Sequence, residues 1–451
     1  MSARLPRIQA DPRVGVPSRI GRYPVRARLG HGATAEVFLA HDEFHGRDVA
    51  IKRVRIDLPG DEREQHYQRC FFAAEAALVG RLNHPNVVQI FDAVSDVEAP
   101  YLVMEYVPGV TLRRFCRAHT LLPLEQVVEV GFKCAMALGY VFRQGLIHRD
   151  VKPANLLAVL DGGQVVDVKV SDFGSVFNFE TDRTQVYRVG SVAYMSPEQL
   201  SGDTLDSRSD IYALAAVMYH LIAGRPPFDA TQQAALMHQI HHAEPPALAT
   251  LREGVSPALE RLVHRGLNKH PGERQLDWDE FAQGLSAIVA RGGVPRGPLQ
   301  SVLDSERFTL LRQLEFFTGF GDVELWEVVH RARWERHAFG HALYRKGDEG
   351  NTFHIVAAGA IEVYRDGQRV AQLGAGHSVG EMAYLAPNPE LRTHAADVLV
   401  SEPATTISFT PQMLEQLAIG TRHLFDTAFI RVLVRRLHAA HEALHHPRRI
   451  L

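Results

Sequence analysis

A chain of 451 residues, 46% hydrophobic and 22% charged, is long enough for two or three separately cored domains of ordinary globular composition. Its net charge of −3 removes any general electrostatic pull toward nucleic acid or an acidic membrane, and its three cysteines, Cys70, Cys116 and Cys134, lack paired metal-ligand spacing and fit a reducing compartment. No secretory leader or membrane span is expected, because the longest apolar run, Ile211 to Ala223, carries Tyr and His and falls short of the roughly 20 residues a spanning helix needs; the expected location is the cytoplasm.

Residues 1–19, rich in Pro and Arg and without periodicity, are expected to be disordered. From Tyr23 to Val54, short alternating apolar segments broken by glycine predict antiparallel strands. The first turn holds Gly30-His31-Gly32-Ala33-Thr34-Ala35-Glu36-Val37, in which glycines would let backbone amides approach phosphate oxygens and Val37 would pack on a base. Taken alone, a two-glycine turn is as well read as a plain hairpin. Ala50-Ile51-Lys52 follows, with a lysine at the end of an apolar strand. Only six of the 49 basic residues are Lys, so positions that retain an ammonium are of interest where a compact charge on a flexible stem is needed. Lys52 and Lys152 are two of them.

Glu62 to Leu82 is helical in pattern, and Glu75 shares a face with Phe71, Phe72, Leu78, Val79 and Leu82. A carboxylate in an apolar stripe costs several kcal/mol unless a cation meets it, and Lys52 is the obvious partner. The other reading puts Glu75 at the margin of the stripe, in water. Val87 to Phe91 and Tyr101 to Met104 read as strands, Glu105 to Gly109 as a connector, and Leu124 to Arg143 as a helix. The chain thus passes from a strand-rich lobe to a helical one, a boundary where ligand clefts form.

Next comes His148-Arg149-Asp150-Val151-Lys152-Pro153-Ala154-Asn155, and then Asp172-Phe173-Gly174. Two Asp, an Asn and a Lys stand here at a spacing suited to holding a metal-bound triphosphate beside a hydroxyl nucleophile. In order and spacing, Gly30-x-Gly32, Ala50-Ile51-Lys52, Glu75, His148-Arg149-Asp150, Asn155, Asp172-Phe173-Gly174 and Ser196-Pro197-Glu198 together resemble the eukaryotic-type protein kinases. The resemblance implies that Lys52 binds ATP phosphates and pairs with Glu75. Asp150 would accept the substrate hydroxyl's proton, Lys152 would steady the γ-phosphate, and Asn155 and Asp172 would hold Mg²⁺. Gly30, Gly32, Val37 and Ala50 would line the ATP site, with Met104 behind the adenine and Glu105 and Val107 offering backbone groups to it. Asp150-Val151-Lys152-Pro153 is similar to serine/threonine rather than tyrosine kinases, and Ser191 stands where Thr is usual. Arg149 would read a phosphate on the segment after Asp172-Phe173-Gly174, with Thr184, six residues before Gly190, preferred over Thr181 as the acceptor. Asp210 is expected to cap the helix that follows it or to brace the catalytic loop, and Arg274 to pair with Glu198.

Arg291 to Pro298 is a linker by composition. After a helical start at Ser305 to Arg331, residues 338–410 show short apolar strands between Gly turns, the pattern of a barrel or jelly roll. The runs Arg345 to Tyr364 and Gly380-Glu381-Met382-Ala383-Tyr384-Leu385 are similar to cyclic-nucleotide-binding domains. The implied pocket spans Gly380, Glu381, Met382, Ala383, Arg392 and Thr393. Glu381 would take a ribose hydroxyl and Arg392 the phosphate of cAMP or cGMP. The chain departs from that pattern: Pro387 and Pro389 lengthen the loop, Glu390 stands near Arg392, and His394 replaces a small residue. Fold and ligand are separable, so a barrel without a nucleotide is the other reading. Pro411 to His446 reads as two amphipathic helices.

The expected fold class is α+β: a bilobal kinase fold over residues 20–290, a linker over 291–304, and a β-barrel or jelly-roll cyclic-nucleotide-binding-like domain with flanking helices over 305–446. The expected function is an ATP- and Mg²⁺-dependent serine/threonine protein kinase regulated by the barrel. The alternatives are a scaffold or pseudokinase, or a nucleotide sensor. Expected partners are Ser/Thr-containing protein substrates, with a cyclic nucleotide and a second copy of the chain as further candidates; neither nucleic acid nor a membrane is expected.

Overall fold

The computed structural model describes residues 16–32, 35–54, 69–70, 72–95, 99–173, 192–295, 303–386, 388 and 392–445. The chain divides into two compact units, Met1–Ser301 and Val302–Leu451.

The first unit begins with a six-stranded antiparallel sheet formed by β1 (Arg19–Ile20), β2 (Tyr23–His31), β3 (Ala35–Asp42), β4 (Arg47–Val54), β5 (Ile90–Val94) and β6 (Tyr101–Glu105), in the order β1-β2-β3-β4-β6-β5. Alternation along the strands sends Phe38, Ala40, Val49, Ile51 and Val103 into one core with Tyr23 and Tyr101. The same period of two puts Val37 beside Lys52 and Ala50 beside Met104 on the opposite face, which is thereby free to line a site. The strand anticipated over Val87 to Phe91 starts only at Ile90. Val87 and Val88 are instead buried, bridging Val170 in the helical lobe. Helix is present at 69–70 and 72–76 and ends before Leu82, where the chain turns through Gly80 at φ 68°. Residues 55–68 lie outside the described residues.

The second lobe holds a three-stranded sheet, β7 (Gly109–Thr111), β8 (Leu156–Asp161) and β9 (Gln164–Val170), with α1 (Leu124–Arg143), α2 (Pro197–Ser201), α3 (Ser207–Ala223), α4 (Gln233–His242), α5 (Pro257–Gly266) and α6 (Trp278–Ala290). The run Ile211 to Ala223 lies in α3, which is buried nearly all round, as its apolar residues on every face demand. Asp206, not Asp210, caps this helix, accepting a hydrogen bond from the Arg208 amide. Among the described residues no helix is long and apolar enough to cross a membrane.

The second unit opens with α7 (Asp304–Gln313) and α8 (Asp322–Arg331). Its sheet comprises β10 (Arg333–His337), β11 (Ala342–Tyr344), β12 (Phe353–Arg365), β13 (Gln368–Leu373), β14 (Ser378–Val379) and β15 (Asp397–Phe409). All pairings are antiparallel, in the order β10-β15-β12-β13, with β11 on β15 and β14 on β12. Instead of uniformly short strands, β12 and β15 run to 13 residues each. They bend at a bulge, where Gly359 takes φ 81° and a Cβ would lie 2.3 Å from the Pro403 carbonyl oxygen. After the four-residue α9 (Glu381–Tyr384) come α10 (Pro411–Glu415) and α11 (Ile419–His445). Phe425 and Phe429 of α11 pack on Phe316, Phe353 and Tyr384, tying the terminal helix to the sheet.

Candidate active site

Lys52 projects from β4 and meets three carboxylate oxygens. Its Nζ donates to Glu75 Oε1 and Oε2 at 2.8 and 2.9 Å and to Asp172 Oδ1 at 2.7 Å. Glu75 is therefore not at a wet margin: it is 4% exposed, and Lys52 is the cation that accompanies it. One ammonium facing two carboxylates leaves the charges unevenly served. Burial disfavours the charged Lys52, yet the charges of Asp172 and Glu75 hold its pKa above the usual lysine value. Asp172 is held far below the usual carboxylate range, first by the Lys52 charge. Glu75 is pushed up to about 7 by burial, against the attraction of Lys52.

The catalytic loop presents the second cluster. Lys152 Nζ lies 2.5 Å from Asp150 Oδ2, and Asn155 Nδ2 donates to the Asp150 carbonyl at 2.9 Å and to its Oδ2 at 3.1 Å. The two clusters are neighbours, since the charges of Lys152 and His148 both reach Asp172. Arg149 and Asp172 each adopt φ 65°, a left-handed conformation that costs non-glycine residues about 1–3 kcal/mol and persists only where surroundings enforce it. At Arg149 the enforcement is visible. Asp210 accepts from the backbone amides of His148 (2.7 Å) and Arg149 (2.8 Å), and Gln199 Nε2 donates to the Arg149 carbonyl at 2.9 Å. Asp210 thus braces the catalytic loop from inside α3, the second of its two expected roles. The His148 ring completes the connection, with Nε2 3.1 Å from the Ser171 carbonyl and its face against Phe173.

Around the implied nucleotide pocket, Gly30 pairs with Val37, and a Cβ at Gly30 would meet nothing within 4 Å. Neither backbone angle nor neighbours require glycine there, which suits the close approach of a ligand. The Gly32 amide donates to the Ala35 carbonyl at 2.9 Å. Ala50 is buried, whereas Met104, Glu105 and Val107 are half-buried. The Glu105 amide donates to Gln89 O, and its side chain pairs with Lys169 at 2.9 Å, pinning the interlobe connector to β9. That clasp escaped sequence reading, although Lys169 is one of the six retained lysines. Asn155 spends its amide nitrogen on Asp150 and keeps its carbonyl oxygen, and Asp172 is held ionised; an amide oxygen and a carboxylate are ligand types that suit Mg²⁺. Deeper in the lobe, Arg274 makes a bidentate pair with Glu198 at 2.6 and 2.8 Å. Thr181, Thr184, Gly174 and Ser191 lie outside the described residues.

In the second unit, Glu381 is 1% exposed and pairs with Arg436 of α11, whose guanidinium also donates to Ser378 O at 2.6 Å. Burial raises the Glu381 pKa against the pull of Arg436. Glu381 Oε2 and the neighbouring Ser378 Oγ are buried without a well-formed hydrogen bond, although the two side chains interact, and their chemistry suits hydroxyl groups. Gly380 at φ 82° sits where a Cβ would lie 2.5 Å from the Tyr344 hydroxyl. Arg392 is exposed and donates to Ala386 O at 3.3 Å; Met382 is exposed and Ala383 buried. Thr393 bridges Glu349. His394 is buried, its ring stacked 3.7 Å from that of Tyr344, so the extra volume relative to a small residue is accommodated by stacking. Pro387, Pro389 and Glu390 lie outside the described residues.

A strand-rich lobe carrying the Lys52–Glu75 pair, set against a helical lobe carrying Asp150, Lys152, Asn155 and Asp172, defines a protein kinase. The family described as protein kinase domain matches residues 23–281, more than half of the chain, and the chain belongs to that family. The family described as cyclic nucleotide-binding domain matches residues 335–419 within the second unit. The chain is 35% identical over 314 residues to a probable serine/threonine-protein kinase of Streptomyces coelicolor, covering 66% of this chain and 46% of that protein. It is 36% identical over 298 residues to the serine/threonine-protein kinase PknB of Mycobacterium leprae (64% and 46%), and 34% identical over 287 residues to a probable serine/threonine-protein kinase of Corynebacterium efficiens (61% and 42%). The chain therefore spans less than half the length of these relatives.

Proposed function

We propose that this chain is a serine/threonine protein kinase that transfers the γ-phosphate of ATP to Ser or Thr of protein substrates and to itself, under the control of its C-terminal unit. The observation that carries the reading is the pairing of Lys52 with Glu75 and Asp172 beside the Asp150–Lys152–Asn155 cluster. Lys52, fully cationic, binds phosphate oxygens and is oriented by Glu75. Asp150 accepts the proton of the attacking hydroxyl, and Lys152 fixes that carboxylate while offering its charge to the transferring group. Asn155 and Asp172 would hold Mg²⁺, which when bound would neutralise phosphate charge. Gly30, Gly32, Val37, Ala50, Met104, Glu105 and Val107 form the walls of the nucleotide site. Every position named for catalysis carries its chemical group, which leaves the scaffold reading without a supporting observation.

Arg149 is the proposed reader of a phosphate on Thr184. Burial lowers its pKa against the attraction of Asp210 but leaves the guanidinium cationic, and a phosphate dianion would give it charge-assisted hydrogen bonds. Phosphopeptide mapping of active enzyme is expected to find modification within 175–191; an unmodified segment would end this assignment. The proposed effector is cAMP or cGMP, with Glu381 on the ribose and Arg392 on the phosphate. The proposed assembly is a homodimer through α11, where Ile430, Val434 and Leu437 are exposed at spacings of four and three residues. That spacing places the three on one face of the helix, where a second copy would cover them. The test of the whole reading is autophosphorylation with and without cAMP and cGMP: transfer that responds to one nucleotide is expected, and transfer indifferent to both would leave a kinase without this effector.

A further inference from the structure

The short 3₁₀ turn Leu112–Phe115 and the residues after it gather Arg113, Arg114, Arg117 and His119 around one open depression, with Thr120 at its edge. The three guanidiniums are exposed, and none meets a carboxylate among the described residues. Like charges three and four residues apart repel, so such a cluster in a chain of net charge −3 costs stability unless an anion from outside compensates it.

Its position says which anion. The Arg113 amide donates to Pro153 O at 3.2 Å, anchoring the turn to the catalytic loop directly after Lys152. On its other side the turn is tied to the 3₁₀ segment Val192–Tyr194, just ahead of Ser196-Pro197-Glu198: the Tyr194 hydroxyl lies 2.8 Å from His220 Nδ1, whose Nε2 lies 3.1 Å from Cys116 O. The Arg113 charge is felt at Tyr194, where burial dominates and raises the phenol's pKa. The turn that carries the basic depression is thus tied both to the loop that carries Asp150 and, through His220, to the segment over which a polypeptide substrate would lie.

The geometry points to a specificity site for acidic substrates: Arg113, Arg114 and Arg117 bind Asp or Glu side chains flanking the phosphorylated Ser or Thr. This inference rests on the kinase reading above. Three exposed charges acting together supply about tenfold discrimination, screened by salt.

The test uses the full chain and three Ser/Thr peptides with acidic, neutral or basic flanks. For each, kcat/KM is measured by ATP-dependent phosphorylation, and affinity by fluorescence anisotropy of the labelled peptide without ATP. The acidic peptide is expected to be favoured about tenfold in both measurements, with the preference falling between 50 and 500 mM salt and abolished in Arg114→Glu/Arg117→Glu. Phosphorylation of all three peptides with equal kcat/KM, or a preference that survives the double substitution, overturns the inference while leaving the kinase reading intact. Acidic-selective, Arg-dependent binding without phosphate transfer would support the inference and count against the kinase reading.

Discussion

Glu75 offers a test that follows from its electrostatics. Its carboxyl is 4% exposed and is pushed up to about 7 by burial, even though Lys52 attracts it. Only the ionised form orients Lys52, so the free enzyme gains competence for ATP as pH rises through that value. A group of pKa about 7 is roughly 10% ionised at pH 6 and 90% at pH 8, which gives about a ninefold rise in kcat/KM for ATP. The assay is steady-state peptide phosphorylation from pH 6 to 8.5 at saturating peptide. Glu75→Gln keeps the shape, removes the titration, and is expected to give a low, flat profile. The stability sign is opposite. A carboxyl whose folded pKa lies above the unfolded one contributes stability fully present below about 4.5 and lost as pH rises through about 7. Wild type should therefore lose thermal stability relative to Glu75→Gln across that window. An unchanged inflection in Glu75→Gln would refute the assignment.

Arg274→Met leaves the buried Glu198 without its bidentate partner and should cost about 3–5 kcal/mol at neutral pH, a fall in Tm of roughly 6–20 °C by calorimetry. Burial opposes ionisation of Glu198, but the Arg274 pair holds its pKa below the usual value, so the gap between variant and wild type is present above pH 4.5 and narrows as pH falls below it. Glu198→Met/Arg274→Met should be more stable than the single variant; a double variant at least as damaged would contradict a charge-burial account. Isothermal titration of cAMP and cGMP is expected to give heat with wild type and none with Arg392→Ala, and absence of heat with both nucleotides would end the ligand proposal. Sedimentation is expected to find dimers of wild type and monomers of Val434→Glu/Leu437→Glu; a dimer that persists in the variant would move the interface elsewhere.

Much of the kinase site was legible because its chemistry depends on residue types that cannot be exchanged. Lys52, Asp150, Lys152, Asn155 and Asp172 stand in short motifs, and the alternating apolar pattern placed Lys52 at the end of a strand. The ends of α1, Leu124 and Arg143, were readable because the apolar stripe runs the full length of that helix. Harder to read were links between residues far apart in the chain. The clasp of Lys169 on Glu105 and the pairing of Arg436 with Glu381 join positions 55 or more apart, and no local pattern announces them, whereas the brace of Asp210 on the catalytic loop was one of two roles its motif implied. Strand ends were misjudged where burial served lobe contact instead of the sheet, as at Val87 and Val88. In the barrel the motif gave the location of Glu381 but not that it would be paired from α11.

The central claim is that Asp150 takes the proton of a serine or threonine hydroxyl as phosphate leaves ATP. The direct measurement is transfer of γ-labelled phosphate to the chain itself and to a Ser/Thr peptide, comparing wild type with Asp150→Asn and following the label by phosphoamino-acid analysis. The account predicts phosphoserine and phosphothreonine from wild type and a loss of about 100-fold or more in Asp150→Asn. Equal transfer by the two proteins, or no transfer by folded, ATP-binding wild type, would contradict it.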